Sequence, residues 1–154
     1  MRQLAVALFA VLQAGCTIST STSLKLNPPN DAEAIVVFIR NAGGCRYGNA
    51  FIPCAYELWL DGRRIANIAD TEYVKFSVPK GSHDFTINWP PFSTYRNGSR
   101  VVLSGTIELR GGETHYFLLL WDIKGSPGPM AGGMHLKELP AAEGERELKE
   151  LSSK

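Results

Sequence analysis

Residues 56–68 read YELWLDGRRIANI. Tyr56, Leu58 and Leu60 alternate with Glu57, Trp59 and Asp61, the period of two that sends successive side chains to opposite faces of a strand. The run stops at Asp61-Gly62, a pair suited to the positive φ angles of a two-residue hairpin turn. The stretch therefore predicts a β-hairpin, with residues 64–68 returning beside 56–60.

The same period continues on the C-terminal side. Val74, Phe76 and Val78 alternate with Tyr73, Lys75 and Ser77, Pro79-Lys80-Gly81 turns the chain, and Phe85, Ile87 and Trp89 alternate with Asp84, Thr86 and Asn88. Val101, Leu103, Ile107 and Leu109 share one parity, with Gly105 expected as a bulge or kink. Two other runs do not alternate. Residues 34–39 (AIVVFI) and 114–121 (THYFLLLW) are apolar almost throughout, which predicts strands covered on both faces. Gly111-Gly112 turns the chain into the second of them, and a last strand is expected over 134–139.

Short strands with closely spaced turns suit a sandwich or a partly open barrel. The fold class expected is all-β, an antiparallel immunoglobulin-like β-sandwich of seven to eight strands. After Pro140 the helix formers of AAEGERELKELSSK, with Leu148 and Leu151 three residues apart, predict one short C-terminal helix over 140–154. Residues 32–139 form the sandwich, and 154 residues suffice for one domain with a core of its own. The loop 125–133 (GSPGPMAGG) is flexible by composition.

The N-terminus carries a different signal. Arg2 precedes an unbroken apolar run over residues 4–12 (LAVALFAVL), too short to span a bilayer and the right length for a secretory leader. Gln13-Ala14-Gly15-Cys16 follows and resembles the lipobox of bacterial lipoproteins, in which the Cys is acylated and becomes the new N-terminus. Ala14, Gly15 and Cys16 match that pattern; Gln13 stands where an aliphatic residue is usual. The resemblance implies a leader over 1–15, lipidation at Cys16 and palmitate among the acyl chains. Cleavage by an ordinary signal peptidase nearby and an uncleaved amphipathic or buried N-terminal helix are the alternatives. Thr17 rather than Asp after the Cys implies, by the same resemblance, the outer membrane, facing the periplasm. Residues 16–31 read as the lipidated Cys and a Ser/Thr-rich tether ended by Pro28-Pro29, with order expected from about Ala32.

Charge and cysteine usage agree with export. The chain has 16 Lys and Arg against 15 Asp and Glu, and removing Arg2 with the leader leaves 15 against 15, which gives no footprint for nucleic acid. With Cys16 assigned to lipid, Cys45 and Cys54 are an even pair in an oxidising compartment and are expected to form a disulfide, worth about 2.5–3 kcal/mol for a loop this short. Two free buried thiols, or half of a metal site, are the alternative readings.

The succession of residues 34–40 (AIVVFIR), 57–65 (ELWLDGRRI), 73–85 (YVKFSVPKGSHDF) and 111–118 (GGETHYFL) resembles the bacterial domain of unknown function DUF2846, and its short motifs are shared in part with PEGA-type surface modules. The resemblance spans residues 32–139. It implies a small β-sandwich of envelope proteins and assigns no reaction.

The sequence holds no nucleophile elbow, no phosphate loop and no metal-ligand spacing among His83, His115, His135 and the cysteines. His83, just after the 79–81 turn, is expected to stabilise that turn by a hydrogen bond. Asp61, Asp70, Asp84 and Asp122 stand singly at strand ends and read as turn-capping or solvated groups. No cofactor and no metal are expected. The candidate binding surface is residues 88–100 (NWPPFSTYRNGSR), where Trp89, Phe92 and Tyr95 are interleaved with Arg96 and Arg100, residue types that anchor interfaces and stack on sugars; Trp89 alternatively completes the core. The function expected is a membrane-anchored envelope lipoprotein, a non-catalytic binding or structural accessory module with an envelope protein or glycan as partner. The alternative is a hydrolase acting on envelope polymers or lipids.

Overall fold

The computed structural model describes residues 18–20, 30–41, 45–47, 50–52, 55–89, 101–122 and 133–153; for 18–20, 45–47, 50–52 and 121–122 it describes the backbone alone. The strands in chain order are β1 (Ile18–Thr20), β2 (Glu33–Arg40), β3 (Cys45–Tyr47), β4 (Ala50–Ile52), β5 (Tyr56–Leu60), β6 (Arg63–Ile68), β7 (Glu72–Pro79), β8 (Gly81–Asn88), β9 (Val101–Leu109), β10 (Thr114–Asp122) and β11 (Gly133–Leu139), and helix α1 (Ala141–Ser152) follows. One sheet has the order β1-β7-β2-β10-β11, the other β6-β5-β8-β9, and β3 and β4 pair as a separate ribbon. Eight strands, β2 and β5 to β11, make the expected sandwich.

The sandwich closes because the alternating runs bury one face each. Val74, Phe76 and Val78 of β7, Leu58 and Leu60 of β5, Phe85 and Ile87 of β8 and Ile107 and Leu109 of β9 meet in a single inner cluster. Phe38 of β2 lies at its centre, with ring centroids 6.2 Å from Phe76, 5.4 Å from Phe117 and 6.5 Å from Phe85 across the sheets. Ile35, Val37 and Ile39 of β2 point the other way. With Tyr116 and Leu139 they form a second cluster, against which Leu148 and Leu151 of α1 pack. The unbroken apolar character of residues 34–39 thus has a physical cause: β2 is sandwiched between sheet and helix, and all seven residues from Ala34 to Arg40 are buried.

The hairpin turns obey their local chemistry. Asp61 and Gly62 have φ of 49° and 72°, the double positive φ of a tight primed turn. Gly111 is required for space, since a Cβ there would overlap the carbonyl of Asp31, and the Gly112 N–H donates to the carbonyls of Asn30 (3.0 Å) and Glu33 (2.8 Å).

Three features depart from expectation. First, β2 and β10 pair in parallel, Ile35 opposite Thr114 through Ile39 opposite Leu118, in an otherwise antiparallel assembly. Parallel neighbours need a long crossover, and here the whole second sheet lies between them in sequence. Second, the irregularity in β9 falls between Ile87 and Asn88 of its partner, where Leu103 and Val101 are the successive opposite residues and Val102 is extra; pairing is regular across Gly105. Gly105 admits the Phe85 ring, which a Cβ would meet at 3.0 Å. Third, Ile18–Thr20, within the stretch read as tether, forms edge strand β1 on β7.

Candidate functional site

The sandwich has two unlike ends. At one, the short turns 61–62 and 79–81 are joined through His83: Nδ1 lies 2.7 Å from Asp61 Oδ2 and Nε2 lies 2.8 Å from the Pro79 carbonyl. Both partners are acceptors, so both contacts are hydrogen bonds when each ring nitrogen carries a proton. The other oxygen of Asp61 accepts from the Asp84 N–H at 3.0 Å. A His-Asp pair can serve as the base half of a catalytic triad, but that use needs a free Nε2, and here Nε2 is held by main chain. His83 stabilises the turn it follows, as the sequence suggests, and also ties in the neighbouring hairpin.

His115, at the start of β10, is similarly occupied with the opposite polarity. Its Nε2 accepts from the Arg110 N–H at 2.9 Å and its Nδ1 stands 3.2 Å from Glu138 Oε1, so the neutral ring with the proton on Nδ1 satisfies both. It is buried and lies nearly parallel to Phe117, 6.4 Å between centroids. His135 is exposed on β11. Among the described residues no three His, Cys, Asp or Glu side chains converge as a metal site, and no helix is long and apolar enough to cross a membrane.

The opposite end is built around a buried cation. Arg40 closes β2 with only 5% of its surface exposed. Its guanidinium pairs with Asp70, donates to the Ile68 carbonyl at 3.1 Å and lies 4.4 Å from the centre of the Tyr56 ring. Burial lowers its pKa below the ordinary arginine value, and the charges of Asp70, Tyr56 and Glu72 work in the opposite direction. Tyr56 in turn meets Trp89, 5.2 Å between centroids at 52°. Guanidinium, phenol and indole thus form a continuous chain of contacts beside the point where the chain leaves β8.

Of the residues singled out from sequence, Trp89 is partly buried against the core and packs on the Tyr56 ring. Phe92, Tyr95, Arg96, Arg100, Cys16 and Cys54 lie outside the described residues. Cys45 opens β3 opposite Ile52, two residues before Cys54 in sequence. Arg40, Asp70 and Tyr56 were not singled out as a site. An arginine ending an apolar strand was the available signal; nothing in the spacing linked it to an aspartate in a turn after another sheet's edge strand.

A second polar group lies on the outer side of β5 and β6. Glu57 is buried although it sits on the polar parity of β5, with Trp59 Nε1 at 3.4 Å and Arg64 Nε at 3.7 Å; Arg64 also donates to Asn67 Oδ1 at 2.8 Å. In comparisons with known proteins, no family pattern and no curated sequence matches the chain.

Proposed function

We propose that the chain is a lipid-anchored protein of the cell envelope, acylated at Cys16, whose sandwich is a non-catalytic binding or structural module. The observation that carries the non-catalytic part is the commitment of both ring nitrogens of His83 and of His115 to structural partners, which leaves neither available for proton transfer. The anchor rests on the leader and on Ala14-Gly15-Cys16. Several acyl chains are needed for stable attachment, since each buried CH₂ contributes about 0.8 kcal/mol and one short chain binds only marginally. Thr17 favours the outer membrane, periplasmic side, and the pair Cys45 and Cys54 as a disulfide suits that compartment. The motif similarity to DUF2846 supports an envelope module. The partner is an envelope protein or glycan, met at the Arg40, Tyr56 and Trp89 end, where aromatic and guanidinium groups of the hot-spot type gather.

Intact-mass measurement of the full chain from a Gram-negative host, with and without reduction, tests the anchor and the disulfide together. Wild type is expected to lack residues 1–15, carry acyl mass and gain two hydrogens on reduction, while Cys16→Ala loses the acyl mass. Recovery from the cytosol with Met1 retained would refute the reading. Hydrolysis of peptidoglycan, polysaccharide or phospholipid by the purified chain would replace it with the enzymatic alternative.

A further inference from the structure

We infer that the sandwich stands on the membrane by one end, that of turns 61–62 and 79–81, and that the Arg40 end faces away from the bilayer; this rests on the reading that Cys16 is acylated. The strand registers sort the strand ends into two groups. Glu33 lies opposite Pro79, Leu60 opposite both Arg63 and Phe85, and Gly81 opposite Leu109, which gathers the short turns at one end. Arg40 lies opposite Glu72, Tyr56 opposite Ile68, Asn88 opposite Val101 and Asp122 opposite Gly133, which places the three long connections, together with the 69–71 turn, at the other.

Strand β1 decides which end meets the lipid. It runs antiparallel to β7 with Thr20 opposite Val74 and Ile18 opposite Phe76, so the chain comes onto β7 from the side of Val78 and Pro79. Cys16 precedes Ile18 by two residues, about 7 Å of fully extended chain. An acylated Cys16 has its backbone at the headgroups, so the short-turn end lies against them. Were residues 17–30 a free flexible spacer, its root-mean-square reach would be about 20 Å and the domain could tumble; pairing of Ile18–Thr20 removes that freedom and also covers the open edge of β7. The exposed groups of this end include Asp31, Asp61 and Glu113 beside Arg63, Lys80 and Arg110. Without a cationic excess, the attachment follows from chain geometry and is insensitive to anionic lipid.

The test uses the acylated full chain in zwitterionic vesicles containing a headgroup energy acceptor, with a donor dye on a genetically encoded residue at Lys80 or at Val101, which is 48% exposed at the far end. The eight residues of β8 separate the two heights, about 25 Å at about 3.3 Å per residue. Transfer is expected to be strong from position 80 and weak from 101. Ile18→Gly, Ser19→Pro and Thr20→Gly together release β1 and bring the two efficiencies together. A chain that floats with the vesicles but transfers equally from both positions overturns the orientation alone. A chain without acyl mass that fails to float overturns the anchor, and the orientation with it.

Discussion

Arg40 shows how much one side chain can organise when it is buried. Its stem ends a strand that is otherwise apolar apart from Glu33, and its head holds Asp70, the Ile68 carbonyl and the Tyr56 ring together, linking one sheet to the other. A buried ion pair is not in itself a strong stabiliser, because desolvation offsets the attraction, but removing one partner leaves the other uncompensated. Arg40→Ala is therefore expected to lower stability by about 3–5 kcal/mol, read as a shift of the urea midpoint. Asp70, with its side chain 20% exposed, can recover some hydration, so Asp70→Asn should cost less than the arginine substitution. Equal effects would mean that the guanidinium acts wholly through its pairing with Asp70, and that its packing on Tyr56 adds nothing. None of this was legible in the sequence, because the partners lie 16, 28 and 30 residues from Arg40 and come together only after the chain has crossed between sheets. His83 was more readable, since one of its partners, Pro79, is four residues away in the turn it follows.

At the scale of elements, hydrophobic period did most of the specifying. The alternating runs became strands with one buried face, and the two continuous runs became the central pair β2 and β10, because period reports how many faces are covered. Period does not report direction, so the parallel pairing of β2 and β10 was invisible, and three-residue β1 carries too short a pattern to be read in a Ser/Thr-rich stretch. The helix was legible from Pro140 and its leucines, but its docking depends on Gly144, where a Cβ would overlap the Tyr116 ring. Gly144→Ala gains about 1 kcal/mol in helix propensity, yet overpacking costs about 1–3 kcal/mol, so a net loss is expected in urea unfolding. In a Tyr116→Ala background the same substitution should become neutral or stabilising. Tyr116 makes a second prediction. Burial first, and Glu145 second, raise its phenol above the ordinary value of 10.0. The folded state thus favours the neutral phenol, its contribution is complete below about pH 10, and stability falls as pH rises through the raised value. Tyr116→Phe should flatten the decline in melting temperature above pH 10 and leave its pH dependence below pH 9 unchanged.

The described residues of the sandwich and α1 form three layers, with the four-stranded sheet and α1 on opposite faces of β2. These layers differ in how strongly they are coupled. Phe38 touches rings from β7, β10 and β8, so it joins both sheets, whereas α1 is held by Leu148 and Leu151, the Asn41 to Glu147 hydrogen bond of 2.8 Å and the fit at Gly144. Loss of the Phe38 ring empties the junction that no neighbour can fill without moving a sheet. Phe38→Ala is expected to cost about 3–5 kcal/mol and to lower amide exchange protection in β5, β7, β8 and β10 together, since the sheets cannot open separately. Leu148→Ala with Leu151→Ala should instead raise exchange in α1 and along the outer residues of β2 while the inner strands of the four-stranded sheet keep their protection. Hydrogen exchange on the two variants separates these cases. If the helix variant exposed β5 and β8 as fully as Phe38→Ala does, α1 would belong to the same cooperative unit as the sandwich, and the coupling inferred from the two separate apolar clusters would be wrong.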